Sequence, residues 1–542
     1  MLLLVVAGAV LRLSGLDSYA LSPDDALHIA EARLEIPGEF LVTLAREDTH
    51  PPLHYLLLRA LLCLGVDDAA LRLASSIPSL LLIPLLYALG RRTAGRVAGL
   101  FAAFLVTFSF PLILQAQVIR AYALELLLLA GALWFVFDDR RDSRRRQLAG
   151  YGALMSLAIL THYSAVIAVA AIGCVRLFQE LRAHNRSAAF DWAVVHAVLG
   201  ILAGLLVWLF ASFLLDSGFR RDAVGDWLAI GFPEGRYFAS WLGGILAQLI
   251  YFIDPPRVVP GAVLGVLLAT GCFALRQSRG FELVQMFFLA SAINLLLAAF
   301  ALYPFSGTRH SLYLVPFVAL IAGAGFQWLW HKAAGQRSVM GLIGVGIFVL
   351  STVLTFAYVT RLESGAGLGT AELPLLRVHY EQTLEHIEAS AKPGEILVGD
   401  KQLAYYAWYE GSMHETERLS ELVGRTRLRG RDFYYYAPAF AISTAAELAR
   451  FVDALEQVVG EPRPSSLRFA SLGWRSGVLF RLGTPGMADP NSHPADRAIR
   501  NALVRARTPA FNSGERAGGG VAFSASWETL REGLRHSLQP DE

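Results

Sequence analysis

The stretch Leu71–Arg92 reads LRLASSIPSLLLIPLLYALGRR, and residues 73–90 within it carry no charged side chain. A helix that crosses a lipid bilayer needs about 20 mostly apolar residues. The stretch has that length, and arginines mark both of its ends. We therefore predict that it spans a membrane as a helix.

The composition of the whole chain agrees with a membrane protein. The chain is 55% hydrophobic and 17% charged, with a mean hydropathy of +0.46, whereas a soluble domain is about 25% charged. The net charge of +2 gives no basis for a nucleic-acid partner. Cys63, Cys174 and Cys272 lie in apolar segments at a spacing that fits no metal motif. We interpret them as small buried hydrophobic residues.

Similar apolar stretches recur along the first 360 residues and predict a polytopic α-helical membrane protein with about 11 transmembrane helices. The candidate spans are 1–16, 69–90, 97–114, 121–137, 148–161, 162–178, 193–215, 258–275, 282–302, 311–330 and 339–359. The lipid bilayer is therefore an expected partner of the chain.

Basic residues test this division independently, because cytoplasmic loops are enriched in Lys and Arg. Every second loop is basic: these loops hold Arg91, Arg92, Arg96, Arg140, Arg141, Arg144, Arg145, Arg146, Arg176, Arg182, Arg186, Arg276, Arg279, Lys332 and Arg337. The short loops between them hold little more than Arg120 and Arg309. The Asp24–Tyr55 and Tyr303–His310 loops are therefore predicted to be extracytoplasmic. An odd number of spans also places everything after about Arg361 outside.

The composition changes after about residue 361, and this predicts three regions: a transmembrane domain at 1–360, an extracytoplasmic α/β domain at 361–484 and a largely disordered tail at 485–542. Strands are predicted at Glu395–Gly399, Arg431–Tyr436 and Ser476–Arg481, and helices at 381–390 and 444–460. The C-terminal third contains no cysteine, so this domain folds without disulfides.

Two adjacent carboxylates, Asp24 and Asp25, lie in the first outer loop. Ionisable groups concentrated at a membrane boundary indicate a functional site, because desolvating them is costly. Ser22-Pro23-Asp24-Asp25 is also typical of the start of a helix, so the aspartates can act as caps as well.

The chain resembles a known family at several motifs. Ser22-Pro-Asp24-Asp25-Ala26 is similar to the acidic signature in the first outer loop of GT-C class membrane glycosyltransferases. The resemblance is to glycosyltransferase family 39 and to the bacterial aminoarabinose and protein mannosyl transferases. Further similar motifs follow in order over about residues 1–360: His50-Pro-Pro-Leu-His-Tyr-Leu-Leu-Leu-Arg59, Leu71-Arg72-Leu-Ala-Ser75, Gln117-Val-Ile-Arg120-Ala-Tyr122, Thr161-His162-Tyr163, and Arg309-His310 leading to Pro316.

The chain departs from the family pattern at two positions. The family usually has Asp-Glu where Asp24-Asp25 stands, and an acid where Val118 stands. In some relatives that second acid helps to hold a divalent metal ion or the acceptor. Its replacement by Val118 weakens the expectation of a cation such as Mg²⁺ or Mn²⁺. Glu125, further along the predicted helix, is placed to compensate.

The resemblance implies an inverting transfer of a sugar, and general chemistry indicates which residues would carry it. Such a transfer needs a carboxylate to accept the acceptor's proton and cations to neutralise the leaving phosphate. Asp24 is the expected base, and Asp25 would bind a metal ion or the acceptor. Arg120 and Arg309 are the candidates for the phosphate, because arginine offers a rigid bidentate fork. The alternative for both arginines is snorkelling to lipid headgroups.

Histidine and tyrosine residues complete the predicted substrate-binding set. His50 and His54 have helical spacing, but Pro51 and Pro52 interrupt any helix between them, so substrate contact and a structural turn both remain open. His162 and His310 lie at predicted outer ends of spans. Tyr55 and Tyr122 complete the set, with interfacial packing as their alternative.

The expected function is that of an integral membrane glycosyltransferase. Its donor would be a polyprenyl-phosphate-linked sugar, because an outward-facing site in the membrane has no supply of nucleotide sugars. The acceptor, which the sequence does not specify, would be lipid A, a cell-envelope glycan or a protein. The expected location is a bacterial inner membrane, with the active site and C-terminal domain facing the periplasm. Two alternatives are a non-catalytic protein that binds lipid-linked sugar and a polytopic transporter.

Overall fold

The computed structural model describes residues 1–16, 23–34, 40, 50–138, 144–211, 231–233, 241–243, 261–306, 308–332, 346, 350, 353 and 354, and five strands between residues 396 and 482. The chain divides into two compact units. One comprises Met1–Leu16 and His28–Val359, and the other comprises Asp17–Leu27 and Thr360–Glu542.

Helices dominate the described residues up to 332. In chain order they are α1 (Leu2–Leu13), α2 (Pro23–Arg33), α3 (Leu53–Cys63), α4 (Asp68–Leu71), α5 (Leu73–Thr93), α6 (Arg96–Phe108), α7 (Phe110–Gln117), α8 (Tyr122–Val136), α9 (Arg144–Thr161), α10 (Ala165–Arg182), α11 (Arg186–Leu206), α12 (Gly261–Leu275), α13 (Phe281–Ala299) and α14 (Val315–Lys332). A π-helical turn, Val207–Ala211, extends α11, and a 3₁₀ helix, Arg309–Leu314, precedes α14.

The helices agree in position with the predicted spans up to residue 330, and the last predicted span, 339–359, lies almost wholly outside the described residues. Among the described residues, four helical stretches are long and apolar enough to cross a membrane, and a bent pair, α6 with α7, raises the number to five. The protein is therefore a multi-pass membrane protein. The count of eleven spans stays a prediction.

The predicted span 97–114 is not one straight helix. It consists of α6 and α7, which meet at a bend of 56°. Pro111, at the start of α7, has no N–H to bond the carbonyl of Thr107 one turn earlier. The guanidinium of Arg12 donates to that carbonyl at 3.0 Å and to the carbonyl of Val106 at 2.6 Å. A buried arginine on α1 thus satisfies the backbone groups that the bend releases.

Small residues bring α14 close to its neighbours. A Cβ atom at Gly323 would overlap the carbonyl oxygen of Ala98 on α6, and one at Gly325 would overlap that of Leu267 on α12. Glycine at such positions lets helix backbones approach closely, which is how helices associate where burial from water supplies no driving force. This packing sets the position of α14 and of the 3₁₀ helix before it.

Residues predicted to be cytoplasmic contact one another at one end of these helices. Arg92 forms a 2.5 Å salt bridge with Asp138, and Arg279 donates to the carbonyl of Val136 at 3.0 Å. Arg176 pairs with Glu282 at 2.7 Å. The contacts join helix ends that the basic-loop pattern assigns to the same side, so they support the alternating order of the helices.

The second unit contains a mixed five-stranded sheet in the order β2-β1-β3-β5-β4. The strands are β1 (Ile396–Gly399), β2 (Thr416–Arg418), β3 (Phe433–Pro438), β4 (Leu467–Ala470) and β5 (Gly477–Leu482). β1 is parallel to β2 and β3, whereas β5 is antiparallel to β3 and β4. Three of these strands, β1, β3 and β5, lie at or within two residues of the predicted positions. The helices predicted at 381–390 and 444–460, and the tail at 485–542, lie outside the described residues.

Candidate active site

The predicted carboxylates lie in the first turn of α2, which begins at Pro23 as the sequence pattern indicates. Asp25 is fully buried. The placement of the Asp24 side chain lies outside the described residues. One turn further along the helix is His28, which was not predicted as a site residue.

His28 is the centre of an aromatic cluster. Its ring centroid lies 5.2 Å from that of His50, 5.5 Å from that of His54 and 4.8 Å from that of Tyr55. α3 begins at Leu53, directly after Pro52, so His50 is outside the helix that carries His54 and Tyr55. The two predicted histidines are thus brought together by their common neighbour, His28, and not by one helical face.

Arg120 lies in the short connection between α7 and α8, just before the helix that carries Glu125. Its side chain contacts His28, with 3.1 Å between Nη1 and Nε2. Its backbone is held on both sides by Ser75 of α5: the Ser75 hydroxyl donates to the Arg120 carbonyl at 2.9 Å and accepts from the Arg120 N–H at 3.1 Å. These two hydrogen bonds fix the backbone of Arg120, from which the guanidinium extends.

His162 connects this cluster to a second buried group. Its ring lies 5.6 Å from that of His50 and 4.8 Å from that of Tyr122 at the start of α8. His162 occupies the turn between α9 and α10, where its Nδ1 lies 2.7 Å from the Ser164 hydroxyl. That hydroxyl also forms a short hydrogen bond with the buried Glu125 carboxyl. Ser164 was not predicted as a site residue.

Arg309 and His310 begin the 3₁₀ helix before α14 and are half-buried. The Nδ1 atom of His310 lies 3.2 Å from the Thr308 hydroxyl, and Tyr303 donates to the carbonyl of His310 at 3.3 Å. Burial raises the pKa of Tyr303 well above its usual value, and the neighbouring Tyr122 and Glu125 raise it further. The Tyr303–His310 loop therefore faces the start of α8.

The electrostatics of the site are those of a buried positive cluster. Burial first, and then the charge of Arg309, lower the pKa of Arg120 to about 9, so Arg120 stays protonated at neutral pH. Burial lowers the pKa of His162 well below its usual value, and His50, His310 and the two arginines act in the same direction. The 3.5 Å contact between His162 and Glu125 is therefore not an ion pair at neutral pH. Two like charges close together in a desolvated site favour binding of an anion.

The described residues do not fit a metal ion. Val118, at the position where the family pattern has an acid, is buried and apolar. Among the described residues, no group of three or more His, Cys, Asp and Glu side chains is arranged to hold a metal.

Comparison with known proteins identifies the fold. Residues 49–210 match the family model of dolichyl-phosphate-mannose-protein mannosyltransferases. The crystal structure of ArnT from Cupriavidus metallidurans bound to undecaprenyl phosphate is 16% identical, with a TM-score of 0.51 over 90% of this chain and 99% of that chain. The oligosaccharyltransferase of Archaeoglobus fulgidus is 12% identical, with a TM-score of 0.47 over 90% of this chain and 74% of that chain. No curated protein sequence matches the chain.

The chain therefore has the fold of the GT-C membrane glycosyltransferases, and the resemblance predicted from the sequence is confirmed. The fold brings the described members of the predicted substrate-binding set into one region: His50, His54, Tyr55, Arg120, Tyr122, His162, Arg309 and His310. Their roles in binding remain predictions.

Proposed function

We propose that the chain is an integral membrane glycosyltransferase that uses a polyprenyl-phosphate-linked sugar donor and an extracytoplasmic hydroxyl acceptor. The observation that carries this proposal is the convergence of Arg120 and Arg309, from separate segments, with the histidine cluster at the ends of apolar helices. A buried cationic site beside lipid suits a ligand with an anionic phosphate head and a long apolar tail. The similar ArnT structure, which holds undecaprenyl phosphate, supports the choice of ligand class.

In the proposed reaction, Arg120 and Arg309 bind the phosphate and stabilise the negative charge that grows on it as the sugar leaves. Asp24 accepts the proton of the acceptor hydroxyl, whose oxygen attacks the anomeric carbon from the face opposite the phosphate. A single displacement of this kind inverts the anomeric configuration. The acceptor is lipid A, a cell-envelope glycan or a protein, on the periplasmic side of a bacterial inner membrane.

The test is transfer of labelled sugar by the purified protein in lipid nanodiscs. The donor is a polyprenyl-phosphate sugar, and fractions of bacterial envelope lipid, glycan and protein are offered separately as acceptors. We expect label to move to one fraction, and the Arg120→Ala variant to show transfer reduced about tenfold or more. Tight donor binding without transfer to any fraction would instead favour a non-catalytic protein that binds lipid-linked sugar. The replacement of the family's acid by Val118 motivates this alternative.

A further inference from the structure

One carboxyl group buried inside the helical unit has no cationic partner among the residues that the structure describes. Glu125 of α8 is completely buried. Among the described residues, its polar contacts are with Ser164 and with His162, whose pKa is lowered by burial. An isolated buried carboxylate destabilises the folded protein strongly unless it is neutralised or well hydrogen-bonded.

The hydrogen-bond geometry around Ser164 decides which group holds the proton. The Ser164 hydroxyl has one hydrogen and two lone pairs, and its nearest groups are Glu125 Oε1 and His162 Nδ1, the latter at 2.7 Å. The hydroxyl of Tyr303 is a further hydrogen-bond neighbour, and it can donate to Ser164. The backbone N–H of Ser164 also donates to His162 Nδ1, at 3.2 Å. A nitrogen that accepts from a backbone N–H carries no proton of its own. The Ser164 hydroxyl therefore donates to Nδ1 and must accept from Glu125.

We propose that Glu125 is a neutral carboxylic acid that acts through Ser164 as a positioning residue for His162. The chain Glu125–Ser164–His162 holds the imidazole in the tautomer that carries its proton on Nε2. That N–H is then a neutral hydrogen-bond donor beside His50 and the two arginines, where the phosphate of the donor would lie. This inference rests on the proposed function only for the identity of that ligand.

The position of Glu125 differs from that of the family's acid, which Val118 replaces. The family pattern has its acid in the connection before α8, whereas this chain has an apolar side chain there and a buried acid within α8. A neutral acid that reaches the ligand only through the hydrogen bonds of Ser164 and His162 cannot itself bind a metal ion or the acceptor. It orients an imidazole instead.

Infrared difference spectroscopy tests the protonation state without any need for activity. Subtracting the spectrum of Glu125→Gln from that of the native protein at neutral pH should leave the C=O stretch of a protonated carboxylic acid. In Ser164→Ala this band should shift, because the acid loses its hydrogen-bond acceptor. Thr161→Val is the matched control, since the Thr161 hydroxyl is buried nearby but bonds to Leu157 in its own helix; the band should be unchanged there. Carboxylate bands in place of the C=O stretch would overturn the proposal.

Donor binding and transfer test the positioning role. Ser164→Ala and Glu125→Leu should each weaken binding of polyprenyl phosphate in nanodiscs about tenfold, and the double variant should be no weaker than the poorer single variant. Glu125→Gln should recover part of the loss, because its amide N–H also donates to Ser164. Equal losses in Glu125→Gln and Glu125→Leu would contradict a role through this hydrogen bond. If the native protein neither binds polyprenyl phosphate nor transfers sugar, the proposed function fails, while the infrared result still decides the state of Glu125.

Discussion

Individual side chains carry the chemistry of the proposed reaction, and Asp24 carries the proton transfer. Asp24→Asn removes the basic oxygen at nearly constant shape, so sugar transfer should fall about a hundredfold or more while the protein remains folded and inserted. Transfer assays should be accompanied by size-exclusion chromatography of the variant in detergent. Near-normal turnover of Asp24→Asn would remove Asp24 as the base and point to Asp25.

Arg309 tests the proposed phosphate site. Arg309→Ala loses both the charge and the bidentate fork, whereas Arg309→Lys keeps the charge. We expect donor affinity to fall about tenfold to a hundredfold in the first variant and less in the second. Titration with labelled donor measures both. Equal, mild effects would mean that Arg309 snorkels to lipid headgroups.

The residues of the site could be predicted from the sequence where a motif marked them. Arg120, His162 and Arg309 lie in such motifs. His28 lies outside them: its importance comes from its contacts with His50 and Arg120, which depend on how α2 and α3 pack. Ser164 is a common residue in a turn, and only the proximity of Glu125 in space gives it a role. Contacts between segments far apart in the chain leave no local pattern in either segment.

At the level of helices, a row of serines on α5 determines where Arg120 lies. Ser76 donates to the carbonyl of Ala116 at 2.6 Å, in the last turn of α7, where carbonyls lack helical partners. Ser75 holds both backbone groups of Arg120. α5 is long and apolar enough to cross a membrane, and its serine hydroxyls also position a site residue.

Ser75→Ala and Ser76→Ala form a matched pair that separates positioning from stability. Each removes a buried hydroxyl and should cost about 1–2 kcal/mol of unfolding free energy. Only Ser75→Ala releases the backbone of Arg120, so it should weaken donor binding severalfold, while Ser76→Ala should bind nearly as the native protein does. Thermal unfolding in detergent and donor titration provide the two measurements. Equal losses of affinity would show that the serines act through the general stability of α7.

The bend between α6 and α7 is a feature that hydropathy alone does not predict. Apolar length predicted one span at 97–114, and the apolar character is correct. Pro111 was the available signal for a break, because it cannot bond the carbonyl of Thr107. The partner of that carbonyl, Arg12, lies 95 residues earlier in the chain. The sequence thus shows the proline that causes the bend. It does not show that Arg12 donates a hydrogen bond to the carbonyl that the bend leaves without a helical partner.

For the whole molecule, the alternation of basic loops made the strongest prediction, and the structure supports the part that concerns helix order. Arg120, His162 and Arg309, from loops assigned to one side, meet in the candidate site. Arg92 and Asp138, from the other side, form a salt bridge. The Lys and Arg content of loops determines the orientation in which a chain inserts into the membrane. The basic-loop pattern is therefore a better guide to topology than apolar length is to the ends of individual spans.

The side of the membrane on which the C-terminal unit lies is the remaining test of that topology. With an odd number of spans and basic loops in the cytoplasm, everything after about Arg361 is extracytoplasmic. A phosphatase reporter fused after residue 370 should therefore be active in bacterial cells, because the enzyme folds only outside the cytoplasm, and a fluorescent reporter that requires the cytoplasm should be silent at the same position. A fusion after Lys332, in a predicted cytoplasmic loop, is the matched control and should give the opposite pair of results.

The reverse pattern at residue 370 with the expected one at Lys332 would mean that residues 339–359 do not cross the membrane. Reversal at both positions would place Asp24 and Arg309 on the cytoplasmic face, where nucleotide sugars are present, and the argument for a polyprenyl-phosphate donor would no longer hold.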